Sequence, residues 1–434
     1  MTRYCKRYRN ECYRNFTKTA TSLNTGPMTI PSPETGVPLH QQTFSLDHTA
    51  FTKLLANTAN LLIIQDLDGV CMGLVKDPLN RKIDRTYVEA VTAYDGHFFV
   101  LTNGEHIGKR GINGIVAKTL EHDVGNLHLP GLAAGGVQWQ DRYGQLVHPG
   151  VSDAELSFLT SVPEKIETTL RQFLSKVDHG LSPETLTHCI NASVLDNVAS
   201  PTVNLNTFYE TLANPALYKA IQEQMKTLMD QLIMETTQQG LGDSFFVHYA
   251  PNLGRDKNND EVVSWADETT SGTTDFQFML RGAVKEAGVL ALLNRYYFEQ
   301  TGVHPLGIGF NARQAPRTMD DMLALVKQDF NPEQMPLIVG VGDTVTSEAV
   351  ETDNGLVFKR GGSDRNFLQL IQNIGQVFDS GNLVAYVDSS GGELKNRRAL
   401  KIATSNGIPT ITQGPGDQRD TSDPLQLNVV FPGG

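Results

Sequence analysis

The clearest pattern along the chain is a set of short apolar runs without polar alternation, each closing on a carboxylate or a hydroxyl. "NLLIIQ" ends at Asp66, "HFFVLTNG" runs into Thr102 and Asn103, "MPLIVGVGD" closes on Asp343, and "NLVAYVDSS" repeats the design. Strands covered by helices on both faces look like this, because neither face offers a position to water. Between the first two runs "RTYVEAVTAY" has helical spacing. The pattern predicts an α/β fold with a parallel sheet, in which ligands gather beyond the carboxyl ends of the strands. Asp66, Asp68, Thr102 and Asp343 are expected to meet there.

The texture differs between about residues 116 and 275. "AAGGVQWQDRYGQLVHPG" predicts a hairpin turning at Asp141, Arg142, Tyr143 and Gly144. Amphipathic helical stretches near 152–176 and 207–239 follow, then a short strand in "DSFFVHYAPN". The α/β rhythm resumes with a helix through "MLRGAVKEAGVLALLNRYYFEQ". A compact insertion of mixed structure in a parallel-sheet domain is commonly a lid. The expected organisation is therefore a core from 41–115 and 276–434, an inserted α/β cap from 116–275, and a loosely ordered extension over 1–40. That extension opens with Arg, Lys and Tyr and continues rich in Pro, Gly, Ser and Thr, without periodicity. A targeting peptide, or initiation at Met28 with residues 1–27 untranslated, are alternative accounts of it.

Composition removes several function classes. The 434 residues carry 39% hydrophobic side chains, enough for a substantial core, and a formal net charge of -12, so a nucleic acid is not an expected partner. No run of eighteen apolar residues exists and the opening lacks the apolar stretch of a secretory signal. No membrane partner and a cytoplasmic location are the expectation. Cys5, Cys12, Cys71 and Cys189 form no CxxC pair, which argues against a disulfide framework and a zinc knuckle. His106 and His248 lack a second histidine at ligand spacing, and "GIGF" near 307 is too short for a nucleotide loop.

The chemistry rests on the strand ends. A carboxylate at Asp66 supplies a nucleophile able to form an aspartyl-phosphate, and Asp68, two residues on, an acid/base. Attack of a carboxylate on a phosphomonoester dianion brings like charges together, for which magnesium held by oxygen ligands is the usual remedy. Asp343 is the natural extra ligand. Thr102 and Lys285 fit as donors to the phosphoryl group, and a backbone amide near Asn103 and Gly104 is a further donor. The plain alternatives are that Lys285 is a surface lysine at a helix start and that Asn103 only turns the chain.

"DLDGV" (66–70), "LTNG" (101–104), the lysine of "GAVKEAG" (282–288) and "VGD" (341–343) stand in the order of the four motifs of haloacid dehalogenase-like phosphatases, which the chain resembles. That resemblance implies a Rossmann-like haloacid dehalogenase core with a large inserted α/β cap. Further stretches, among them "LPGLAAGGVQWQDRYG", "FFVHYAPNLGRD" and "GGSDRNFLQLIQ", are similar to the salt-tolerance phosphatases, the glucosylglycerol 3-phosphatases. The likeness implies magnesium-dependent release of phosphate from glucosylglycerol 3-phosphate in compatible-solute synthesis. It implies Asp66 as nucleophile, Asp68 as acid/base, Thr102, Asn103 and Lys285 at the phosphate, and Asp66, Asp68 and Asp343 at the metal. Contact with the synthase that makes the substrate is a further implied partnership.

One departure bears on the metal. Related phosphatases place a second acid three or four residues beyond the motif aspartate, where this chain has Thr346 and Ser347, with Glu348 one step late. An inserted loop over 345–362 would restore the pattern and make Asp364 the second carboxylate; helix capping by "SD" is the plain alternative. Trp139, Asp141, His248, Arg255 and Asp275 are candidates for reading sugar hydroxyls, each with a structural reading beside it. Alternative functions are another sugar-phosphate phosphatase or a phosphomutase of the same superfamily, the latter using the same Asp66 and Asp68 pair, and an inactive regulatory partner of the upstream synthase, which would have no need of these residues.

Overall fold

The structure is a computed structural model and describes residues 46–433 apart from 77, 251, 256–260, 269, 354, 395–396 and 406–407. The expectations for residues 1–40, Cys5, Cys12 and the Arg255 side chain lie outside the described residues. Two compact units form: one from the chain up to 104, 115–149 and 284 onward, the other from 105–114 and 150–283.

In chain order the first unit begins with α1 (His48–Asn57), β1 (Leu61–Gln65), α2 (Arg85–Val91) and β2 (Phe98–Leu101). Helix α3 (Ile112–Thr119) spans the division, and β3 (Gly131–Ala133), β4 (Gln138–Gln140) and β5 (Leu146–Val147) follow. The second unit holds α4 (Asp153–Leu174), α5 (Pro183–Ser193), β6 (Val194–Leu195), β7 (Thr202–Asn204), α6 (Asn206–Thr211) and α7 (Pro215–Gln238). It closes with β8 (Phe245–Ala250), β9 (Asn252–Arg255), β10 (Glu261–Val263) and β11 (Asp275–Leu280). The chain then returns through α8 (Lys285–Thr301), α9 (Met319–Asp329), β12 (Leu337–Gly342), the hairpin β13 (Thr346–Thr352) and β14 (Gly355–Gly361), and α10 (Arg365–Phe378). It ends with β15 (Leu383–Val387), the hairpin β16 (Lys401–Ser405) and β17 (Ile408–Gln413), and β18 (Val429–Phe431).

The first unit is built on one sheet in the order β18-β15-β12-β1-β2-β3-β4-β5. The pairs from β18 to β3 are parallel, and β4 and β5 add an antiparallel tail. All five residues of β1, all four of β2 and all six of β12 are buried, as the unbroken apolar runs require. Helix α10 lays Phe367, Leu368, Leu370, Ile371 and Ile374 into this core, each fully buried and each contributing about 1.5–3 kcal/mol of transfer free energy. Gly340 allows that approach: a Cβ there would stand 2.8 Å from Ile371 Cδ1 and 2.9 Å from Leu368 Cδ2. Parallel pairing places residues 66, 102 and 343 just past the carboxyl ends of neighbouring strands.

The second unit is a four-stranded antiparallel sheet, β6-β7-β11-β8, with a β9–β10 ribbon. Phe276, Phe278 and Leu280 alternate onto a buried face, where Phe158 of α4 meets Phe245 at 5.5 Å and Phe278 at 5.7 Å between ring centroids. Register puts Asp275 opposite Asn204 and Gln277 opposite His248 and Thr202, so the other face of this sheet is polar.

Several expectations need correction. Residues 116–149 carry β3–β5 and extend the first unit's sheet, so the contiguous insertion begins at 150, not 116. The helix expected over 207–239 is two helices, because Asn214 caps and Pro215 restarts the second. The helix expected through "MLRGAVKEAG" begins only at Lys285: Met279 and Leu280 finish β11, and Gly282 turns the chain at φ +84. Among the described residues no helix is long and apolar enough to cross a membrane.

Substituting Gly340→Val forces α10 away from β12, with an expected loss of about 1–3 kcal/mol. A lower midpoint in urea unfolding checks it; an unchanged midpoint would mean the helix does not close on that glycine.

Candidate active site

Four charged side chains converge at the strand ends of the first unit. Asp66 follows β1, Asp343 follows β12, Asp364 stands at the cap of α10 and Lys285 opens α8, and all four are buried. Carboxylate oxygens of Asp66, Asp343 and Asp364 lie within 4.8 Å of one another. Lys285 Nζ donates to Asp364 Oδ1 at 2.6 Å and lies 3.0 Å from Asp66 Oδ2. Its ammonium also stands 5.5 Å from the centroid of the Phe367 ring. A lysine at the positive end of a helix is unfavourable by itself, so the two carboxylates decide where it points. The surface-lysine alternative is thereby removed.

Local sequence makes room for this crowding. Gly69 turns the chain at φ +81, and a Cβ there would fall 2.0 Å from Asp343 Oδ2. Gly342 lets the Asp364 carboxylate in, since a Cβ would meet its Oδ2 at 2.8 Å. Gly288 lets α8 close on Leu101, whose Cδ1 would be 2.5 Å from a Cβ, and so brings Lys285 inward. The expected inserted loop is the β13–β14 hairpin, which returns the chain to Asp364. Asp364 makes no side-chain cap bond to its helix; its Oδ2 accepts from the amides of Asp343 at 3.0 Å and Thr344 at 2.9 Å. The capping alternative therefore fails. Neither Ser347 nor Glu348 joins the cluster: Ser347 donates to Asp420 Oδ2 at 3.3 Å, and Glu348 pairs with Arg398 at 2.8 Å.

Burial pushes the Asp66 carboxyl up to about 8; Lys285 opposes this, and Asp364, Asp343 and Asp68 add to it. Burial, reinforced by Asp364, raises Asp343 to about 6 against hydrogen bonds from Ser389 and Thr344 and the charge of Arg397. For Lys285, burial alone would lower the ammonium, but Asp364 and Asp66 outweigh it and the net direction is up. Two buried oxygens, Asp66 Oδ1 and Asp343 Oδ2, have no hydrogen-bond partner among the described residues. Hard anionic oxygens, orphaned and crowded in this way, are what a magnesium-sized divalent cation requires. The residues fit that group.

The other expected site residues fall in different places. Thr102 is buried beyond β2, its Oγ1 accepting from Gly104 N at 3.1 Å, and Asn103 beside it is exposed. The Asp68 carboxylate stays outside the cluster, a third exposed, and meets Arg81 Nη1 at 2.8 Å. Trp139 belongs to the first unit, packed on Phe99 with the Arg295 guanidinium 3.9 Å from its ring centroid, so its ring is already engaged. Asp141 accepts amides of Tyr143 and Gln145, both at 2.9 Å, and shapes the hairpin turn. In the second unit, Asp275 accepts from Asn204 Nδ2 at 2.8 Å and Thr274 Oγ1 at 2.9 Å, and His248 Nδ1 meets Glu261 at 2.9 Å. Sequence reasoning passed over Arg81, Thr344 and Arg397, the last donating to Thr344 Oγ1 at 2.9 Å and lying 3.9 Å from Asp343 Oδ2. No periodicity or motif marks these three.

The chain is similar to known phosphatases. The model of the glucosylglycerol-phosphate phosphatase family matches residues 60–434. A glucosylglycerol-phosphate phosphatase from Synechocystis sp. is 59% identical over 401 residues, covering 91% of this chain and 94% of the relative. More distantly, the C-terminal domain of C. albicans trehalose-6-phosphate phosphatase is 12% identical over 80% of this chain and 89% of its own, with a TM-score of 0.40. The Aspergillus fumigatus trehalose-6-phosphate phosphatase is also 12% identical, over 82% of this chain and 92% of its own, with a TM-score of 0.34.

Two outcomes follow from the cluster. Because Asp66 binds a proton in the folded state up to about pH 8 but only to about pH 4 when unfolded, its contribution to stability falls as pH rises across that window. A divalent cation removes that cost, so the rise in melting temperature on adding magnesium is expected to be larger at pH 8 than at pH 5; an increment independent of pH contradicts it. Gly69→Ala places a methyl group on Asp343 and is expected to abolish that magnesium-induced rise while the protein remains folded. Isothermal titration with magnesium measures it directly.

Proposed function

The chain belongs to the glucosylglycerol-phosphate phosphatase family, and we propose that it hydrolyses glucosylglycerol 3-phosphate to glucosylglycerol and inorganic phosphate with magnesium as cofactor. The observation that carries this reading is the 59% identity to the Synechocystis enzyme across nine-tenths of the chain. The gathering of Asp66, Lys285, Asp343 and Asp364 supplies its chemical footing.

In the proposed reaction a carboxylate oxygen of Asp66 attacks phosphorus, the phosphorus–oxygen bond to the glycerol moiety breaks, and Asp68 gives its proton to the departing oxygen. The ionised Asp68 then takes a proton from water as the water oxygen attacks the aspartyl-phosphate, releasing phosphate and restoring Asp66. Asp66 and Asp343 would hold magnesium through the oxygens that lack partners, with Asp364 fixing the Asp343 backbone and Lys285. When bound, the cation neutralises charge on the nucleophile and on the phosphoryl oxygens. Thr102 and Lys285 donate to the transferred group, and the amides at Asn103 and Gly104 lie in the same turn. The polar sheet face of the second unit carries donors and acceptors suited to sugar hydroxyls, and His248 and Asp275 are assigned that role. A place in compatible-solute synthesis under salt stress, in the cytoplasm, accompanies this substrate.

Phosphate release from a panel of sugar and polyol phosphates, with and without magnesium, tests the reading. Release is expected to be greatest with glucosylglycerol 3-phosphate, to need magnesium, and to fall by about 10³-fold or more in Asp66→Asn. Equal release from all substrates, or an Asp66→Asn enzyme of normal rate, contradicts it.

A further inference from the structure

Arg81 lies in no recognised motif, between β1 and α2, yet its side chain is only 10% exposed. Its Nη1 donates to both oxygens of Asp68, at 2.8 Å and 3.2 Å. The pair rests against the turn after β2: a Cβ at Gly104 would lie 3.5 Å from Thr102 Oγ1, 3.7 Å from Asp68 Oδ2 and 3.8 Å from Arg81 Nη1. Asp68 itself stands past the end of β1, in a tight loop where Gly69 N donates to Met72 O at 2.7 Å. Its carboxylate therefore has neither strand packing nor the metal cluster to orient it, and a third of it is open to water. Arg81 supplies the orientation that the backbone does not.

We propose that Arg81 is a positioning residue that holds the Asp68 carboxyl beside Thr102, so that it meets the leaving oxygen of the phosphate ester. The inference rests on the acid/base role of Asp68 in the function proposed above. A protonated carboxyl retains acceptor lone pairs, so the guanidinium contact survives in both protonation states of the cycle. The rigid planar fork of arginine suits this task better than a flexible ammonium, and a displacement of about 1 Å in a catalytic group can cost about 10²-fold.

Leaving groups separate this role from its rivals. A sugar or glycerol oxygen needs a proton as it departs, whereas p-nitrophenolate leaves without one. The test compares kcat/KM and KM for glucosylglycerol 3-phosphate and p-nitrophenyl phosphate in the wild type, Arg81→Gln, Arg81→Lys, Asp68→Asn and the Asp68→Asn/Arg81→Gln double variant, all with magnesium; kcat/KM reports the steps up to departure of the leaving group, whereas kcat also contains the water step common to both esters. Arg81→Gln is expected to lower kcat/KM about 10- to 100-fold on the sugar ester but less than about threefold on p-nitrophenyl phosphate. Arg81→Lys should fall between, and Arg81→Gln should cost nothing further once Asp68 is Asn. Equal losses on both esters, a raised KM for both, or a full further loss in the double variant would overturn the inference and make Arg81 a phosphate ligand or a structural residue. If Asp68→Asn itself shows no dependence on the leaving group, the acid/base assignment fails and the inference falls with it. If Asp68→Asn shows that dependence and neither arginine variant does, the inference alone fails.

Discussion

Three carboxylates and one ammonium share a buried volume small enough that the carboxylate oxygens lie within 4.8 Å of one another. The glycines and donors around them accommodate that concentration of negative charge. With Asp66, Asp343 and Asp364 ionised and Lys285 protonated, the group carries minus three plus one, or minus two, in a place where water cannot screen it. Burial raises two of the acids, and two oxygens are left without partners. Such an arrangement costs stability in the free protein, and the proposed cation and phosphoryl group would offset that cost. The glycines at 69, 288 and 342 fit the same constraint, since a methyl group at any of them would strike an acid or hold α8 off the sheet.

The parallel sheet was legible because its strands are buried on both faces and must be written as unbroken apolar runs. The strand-end residues followed, since a polar side chain directly after such a run has only one place to go. The place of Asp364 in the cluster was legible in a different way: no acid stands three or four residues beyond Asp343, and an insertion was expected to bring Asp364 back twenty-one residues on, a separation the β13–β14 hairpin spans. Arg81 was not legible, because its partner is thirteen residues away across an irregular loop and no period connects them. The "MLRGA" segment misled because Met279 and Leu280 continue equally well into a helix by hydrophobicity; only the left-handed turn at Gly282 separates strand from helix. Residues 116–149 misled for a related reason, since short antiparallel strands look alike whether they extend a parallel sheet or begin a new one.

Chemistry and substrate identity stand on different supports. The proposed phosphoryl transfer uses side chains that touch one another in the first unit. The proposed substrate, glucosylglycerol 3-phosphate, rests on family membership, and the polar sheet face of the second unit carries groups of suitable type for many sugars. Asn204, Asp275 and His248 there are already hydrogen-bonded within the unit, so they offer a preorganised surface.

The proposed reaction turns on a covalent step at residue 66, and rapid acid quench during turnover of the proposed sugar phosphate, followed by mass spectrometry of the peptide containing "LLIIQDLDGV", observes that step directly. A phosphoryl group on the Asp66 side chain, acquired from substrate and lost again in water within the turnover time, is the predicted result. Steady turnover with that peptide never modified, and inversion rather than retention of configuration at a phosphorus made chiral with oxygen isotopes, would contradict it.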